Sequence, residues 1–162
     1  MSFRDPLVEQ IAAFLRDIGL EVRAGAVEDA VLPGIGVDLG ALTVDEERLL
    51  YPGDLLHEAG HLAVAPPPAR AALVHDVGKD GGEEMAAIAW SYAAALHLGL
   101  DPAVVFHEHG YRGGSASILE ALRNEGFGVP LLQWLGMTFD RKSAAGAGVP
   151  PYPHMVRWLR AA

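Results

Sequence analysis

Apolar residues recur at helical spacing at Leu7, Ile11, Phe14, Leu15 and Ile18. This pattern predicts a first helix, with Asp5 as N-cap, Pro6 at the first helical position and Gly19 as the stop. Two β-favouring stretches follow, around residues 21–27 and 34–44, broken by Val31-Leu32-Pro33-Gly34. They predict a small antiparallel sheet. Pro52-Gly53-Asp54 opens a second helix, which must end before Pro66-Pro67-Pro68. A polar loop is expected at 79–82, then a third helix from about residue 83 to 97, with Gly99 near its end. Asp101-Pro102 repeats the cap-plus-proline signal and predicts a fourth helix, ended by Gly110. Ser117 and Glu120 have capping-box spacing, although that helix could begin a few residues earlier. Another short helix is expected after Pro130. Residues 143–153, rich in Ala, Gly and Pro, read as a loop. The tail at 154–160 reads as a last helical turn.

The chain has 162 residues, of which 51% are hydrophobic. That is enough for one domain with a real core, and it argues against disorder. No repeat or domain boundary is visible. The expected fold is α+β and mostly helical, with the small sheet packed beside the second helix. Cysteine is absent, which excludes disulfides, thiol catalysis and cysteine-ligated metals. A transition metal would have to be held by His, Asp or Glu. The net charge of -9 disfavours direct contact with nucleic acid or an anionic membrane. The amphipathic N-terminus is not read as a signal peptide, and no apolar run is long enough to span a bilayer. A soluble cytoplasmic protein is the expectation.

Chemistry concentrates at His57-Glu58-Ala59-Gly60-His61. Two histidines four positions apart share one helix face and can hold one Zn²⁺. Glu58 lies about 100° round the helix from His57. It can take a proton from water activated by the metal without ligating the ion. An accidental His-Glu-x-x-His has a chance of roughly 2% at this composition, so the motif is informative. Leu55, Leu56, Leu62 and Val64 give the segment buried faces that would hold the imidazoles rigid. The blander alternative is two helix histidines with no metal.

A catalytic zinc needs a third protein ligand and one open position. The metzincin pattern would require Gly and His where Val64 and Pro67 stand, so that branch is excluded. The next acids are Asp76, Asp80, Glu83 and Glu84. Glu84 shares a helix face with the small residues Ala87, Ser91 and Ala95, together with Ile88. Glu83 shares the bulkier face of Ala87, Trp90, Ala94 and His97. Close helix packing favours Glu84, with Glu83 as the alternative. Either glutamate also suits the first turn of a helix for its dipole alone.

These residues carry a resemblance. The chain resembles the gluzincins, and among them the ImmA/IrrE-type metallopeptidase domain. Gly40-Ala41-Leu42-Thr43-Val44 corresponds to the strand before the motif, and residues 49–64 to the approach and the zinc helix. Glu84-x-x-Ala87-x-x-Trp90-Ser91 resembles the family's Glu-x-x-Ala-x-x-aromatic-small pattern. The resemblance covers roughly residues 3–100 and leaves 101–162 as a helical C-terminal extension of the same domain. It implies a zincin-like fold and one Zn²⁺ per chain, held by His57, His61 and Glu84. It implies peptide-bond hydrolysis with Glu58 as general base. It also implies an extended substrate paired to the strand before the zinc helix, and a regulatory protein partner rather than DNA. The competing function is a non-catalytic metal-binding or protein-interaction module on the same fold.

An oxyanion donor is also needed, and His107, His109 and Tyr111 are the candidates. For the two histidines an ordinary polar helix end is the preferred reading. His75 and His97 read as structural and His154 as surface. Asp45-Glu46-Glu47 reads as a solvated turn. Residues 76–80 lack the order of an EF-hand loop. Trp90, Trp134 and Trp158 read as packing residues.

Overall fold

A computed structural model describes residues 2–28, 30–74 and 81–162. Its elements are α1 (Pro6–Asp17), β1 (Val22–Ala24), β2 (Ile35–Asp38), β3 (Ala41–Val44), α2 (Asp54–Val64), α3 (Pro67–Ala72), α4 (Gly81–His97), α5 (Ser115–Arg123), α6 (Val129–Trp134) and α7 (Arg141–Ala147). The expected α+β, mostly helical architecture is observed. The sheet is mixed rather than wholly antiparallel. Its order is β1-β3-β2, with β3 antiparallel to β2 and parallel to β1. The hairpin joining β2 and β3 dictates the first pairing. The second arises because the chain crosses over between β1 and β2, so β3 sits in the centre.

Helix α1 begins where Asp5 accepts a hydrogen bond from the Leu7 amide at 2.8 Å. It buries Ile11, Phe14 and Leu15 of the face that its periodicity marked, together with Val8 and Ala12, while Leu7 and Ile18 are half-buried. Helix α2 is different. Leu55, Leu56, Ala59, Gly60, His61, Leu62, Ala63 and Val64 are all buried, so it is a central helix covered from several sides. Its N-cap is Gly53, which has no side chain to cap with. A Cβ there would collide with the Val104 carbonyl. At the other end the Arg70 guanidinium donates to the carbonyls of Leu62 (2.7 Å), Ala63 (3.3 Å) and Ala65 (3.1 Å). Arg160 donates to the Val64 carbonyl at 3.3 Å. Two cations thus satisfy carbonyls that a helix end leaves without partners, and they meet the negative end of its dipole.

Helices α2 and α4 form the main packing contact of the domain. They approach closest where Gly60 faces Ala87. A Cβ on Gly60 would lie 2.7 Å from the Ala87 carbonyl oxygen. Ala86, Ala87, Ala89, Ala93, Ala94 and Ala95 are buried along α4, and Trp90 is fully enclosed. The Trp90 indole donates to the Trp158 carbonyl at 2.9 Å, and the rings of Phe14 and Trp158 pack against it. Trp90 and Trp158 are therefore packing residues, whereas His97, expected to be structural, is exposed and only rests its ring against Phe14 and Trp158. Trp134 departs from expectation, being 80% exposed. His154 is exposed, as expected. His75, Asp76 and Asp80 lie outside the described residues.

Other local expectations change in the C-terminal third. After Asp101 the chain makes only a single 3-10 turn, Pro102–Val104, instead of a helix reaching Gly110. The Val104 carbonyl abuts Gly53, and His107 and Tyr111 are drawn towards α2, so tertiary contacts stop the helix. Helix α5 starts at Ser115, before the capping-box position. Residues 141–147 are helical, not loop, because Asp140 accepts from the Ser143 amide and caps an alanine-rich turn. The tail pairs through Thr138 and Met155 in a β-bridge rather than forming a helical turn. The triple proline ends α2 and starts α3 at Pro67. No helix among the described residues is long and apolar enough to cross a membrane.

The Gly60–Ala87 contact sets a stability expectation. Gly60→Ala should destabilise the protein by about 1–3 kcal/mol, through overpacking against backbone that cannot move aside. Urea unfolding of the two proteins measures this. An unchanged midpoint would contradict the close approach.

Candidate metal centre

His57 and His61 stand one turn apart on α2, and their Nε2 atoms converge to 3.3 Å. Among the described residues, Glu84 in the first turn of α4 reaches both histidines from another element. Its Oε2 lies 2.8 Å from His61 Nε2, and its Oε1 lies 3.6 Å from His57 Nε2. Glu84 stands one turn before Ala87, so the Gly60–Ala87 contact carries its carboxylate to the imidazoles. Glu83 faces elsewhere and lines a groove with Ala86, Leu131 and Trp134. Glu58 lies beside the two histidines, with donor atoms of all three residues within 4.8 Å of one another. His57, Glu58 and His61 could by themselves hold a metal ion. Glu84, in contact with both imidazoles, offers the additional carboxylate.

The protonation states follow from burial and charge. His57 is held down to about 4, first by burial, then by His61, against the opposing pull of Glu84. It is therefore neutral at pH 7, as a ligand must be. For Glu84 burial pushes the carboxyl up, but the His61 hydrogen bond and the charges of His61 and His57 outweigh it and hold it low. Glu58 is pushed up to about 7 by burial, with Glu84 and Asp54 adding and His61 opposing. Two nearby glutamates thus differ, one an anion suited to a cation and the other poised to exchange a proton near neutrality.

The segment after Asp101 contributes directly. The Tyr111 hydroxyl lies 2.6 Å from His57 Nδ1, on the ring edge away from Nε2. The hydroxyl therefore sits behind the His57 ring and not on the Nε2 side that faces His61 and Glu84. Burial raises the Tyr111 phenol well above its usual range, reinforced by Glu84 and Asp54, so it stays protonated. His107 does not join the imidazole pair. Its Nε2 lies 2.8 Å from Asp54 Oδ1, and its ring stacks on Tyr51 at 4.0 Å. Burial raises Asp54, and the His107 hydrogen bond opposes the rise. His109 is largely exposed beside Glu108, at 3.2 Å, and stays outside the centre. The Asp54–His107 pair had no sequence signal beyond Asp54 as a first-turn acid. Its two members are far apart in the chain.

Comparison of the chain with protein-family models, with curated proteins and with solved structures returns no match. The functional reading therefore stands on the geometry of the centre itself.

The raised Glu58 carboxyl gives a pH dependence in metal-free protein. Its stabilising contribution is complete below the ordinary value of 4.5 and is lost as pH rises through about 7. His57 acts in the opposite direction, its contribution being complete above 6.5 and lost as pH falls through about 4. Glu58→Gln removes only the first. Between pH 5 and pH 8, unfolding by urea should therefore show the variant gaining stability relative to wild type. A difference independent of pH would contradict the burial of Glu58.

Proposed function

We propose that this chain is a zinc-dependent metallopeptidase of the gluzincin kind, similar to the ImmA/IrrE-type domain. The observation that carries the reading is the reach of Glu84 across the helix interface to both Nε2 atoms of α2. Two donors bound tetrahedrally to one ion at about 2.0–2.2 Å stand about 3.3–3.6 Å apart. The two Nε2 atoms stand 3.3 Å apart, and the Glu84 carboxylate lies beside both, with Oε2 at 2.8 Å from His61 Nε2 and Oε1 at 3.6 Å from His57 Nε2. Two imidazole nitrogens and one carboxylate oxygen are also a donor set that suits zinc.

In this reading His57, His61 and Glu84 hold the ion. Bound zinc supplies Lewis-acid charge that acidifies water and polarises a carbonyl. Glu58 accepts the proton of the attacking water and returns it to the leaving amine. Its partly buried carboxyl suits both transfers, because one that titrates near 7 can take and give a proton at neutral pH. The strand before the zinc helix cannot receive a substrate strand, since β3 is already paired on both sides. The sheet edges are β1 and β2, and β2 contacts α2, so β2 is the edge proposed to align an extended peptide. A peptide or protein substrate, a regulatory protein partner and a cytoplasmic setting belong to the same proposal.

Metal content by plasma mass spectrometry and hydrolysis of a peptide library test it together. Wild type and Glu58→Gln should each carry about one zinc per chain, and His61→Ala and Glu84→Ala should lose it. Hydrolysis should fall at least about a hundredfold in Glu58→Gln. Undiminished hydrolysis in that variant would overturn Glu58 as the base. One zinc in a wild type that cleaves nothing would favour a non-catalytic metal-binding module.

A further inference from the structure

Among the described residues, one polar side chain grips the back of the imidazole pair. The Tyr111 hydroxyl meets His57 Nδ1 at 2.6 Å, whereas His61 Nδ1 is buried without a protein hydrogen bond. The ring of Tyr111 is itself fixed, stacked on Phe106 with centroids 5.4 Å apart. The backbone is unusual at the same place. Tyr111 and Arg112 have φ of 54° and 53°, and Gly113 follows at 81°. Consecutive bulky residues in the left-handed region are disfavoured, and they persist where surrounding contacts hold them. Here the holding contacts are those of the Tyr111 ring and hydroxyl. The phenol also has a side-chain hydrogen-bond contact with Ser91 of α4, whose Oγ donates to the Ile88 carbonyl at 2.8 Å.

We propose that Tyr111 is a positioning residue for the metal centre, which orients His57 and selects the tautomer that leaves Nε2 free to ligate. The proposal rests on the metallopeptidase reading and deepens it. In the ligating form His57 carries its proton on Nδ1 and donates it to the Tyr111 oxygen. The phenol turns its own proton to Ser91 Oγ, and Ser91 donates onward to the Ile88 carbonyl. The chain of donors ends on the backbone of α4, the helix that also presents Glu84. One helix thereby fixes one ligand directly and a second through Tyr111. A partner on the outer nitrogen of a ligating histidine fixes ring orientation and raises its basicity.

The test compares wild type with Tyr111→Phe, which keeps the ring and its stacking and removes only the hydroxyl. Zinc affinity is measured by chelator competition, and the His57 ring by nitrogen-15 NMR with and without zinc. Melting of the metal-free proteins controls for folding. The variant should fold as wild type does and bind zinc about ten- to a hundredfold more weakly. In zinc-loaded wild type His57 should ligate through Nε2 and keep a slowly exchanging Nδ1 proton, and the exchange should be fast in the variant. Equal zinc affinity with unchanged His57 signals overturns the inference and leaves the metallopeptidase reading intact. Ligation of zinc-loaded wild type through Nδ1 overturns it without reference to any variant. A wild type that takes up no zinc overturns the metallopeptidase reading, and the inference with it.

Discussion

The close approach of α2 and α4 at Gly60 and Ala87 is the constraint on which the rest depends. Two helices meet this tightly only where side chains are nearly absent. The residue between Ala59 and His61 has no Cβ, and the facing helix is alanine-rich for most of its length. The consequence is chemical as well as mechanical. With Gly60 against Ala87, His61 and Glu84 come within 2.8 Å of each other. A bulkier pair would part the helices and separate the carboxylate from the imidazoles. The helix packing and the meeting of His61 with Glu84 are the same contact seen from two sides.

Other parts of the molecule hold that contact in place. Arg70 and Arg160 secure the C-terminal carbonyls of α2, and Arg70 also donates to the Arg160 carbonyl at 2.9 Å. The chain's tail is thereby tied to the helix that carries His57 and His61. At the N-terminal end of α2 the segment after Asp101 closes in, with Val104 against Gly53, His107 on Asp54 and Tyr111 on His57. The C-terminal third is therefore part of the centre and not an appendage. Burial then divides the acids. Glu84 touches both histidines and stays anionic, whereas the more enclosed Glu58 is lifted towards neutrality.

Much of this was legible in the residues, and the reasons are specific. A four-residue spacing of histidines means one face of one helix whatever the fold around it. The small residues Ala87, Ser91 and Ala95 marked the face of α4 that could come close, and Glu84 lies on it. The α1 cap was legible because Asp5-Pro6 acts locally. What escaped depends on contacts between distant positions. Asp54 and His107 are joined only by the folded chain, and the same contact halts the helix that Asp101-Pro102 begins. The parallel pairing of β1 with β3 needs a crossover that periodicity does not encode. Residues 143–153 read as loop from their Ala, Gly and Pro content, yet the first part of that stretch is helical, and the overlooked signal was the cap at Asp140.

The most direct test is anomalous diffraction at the zinc edge from crystals of zinc-loaded protein. It reads the position of the ion relative to both helices at once. One peak is expected per chain, within about 2.0–2.2 Å of His57 Nε2, His61 Nε2 and a Glu84 oxygen. Glu58 should lie alongside, outside the ligand set. A peak ligated by Glu58 in place of Glu84, or one remote from the interface of α2 and α4, would contradict the account.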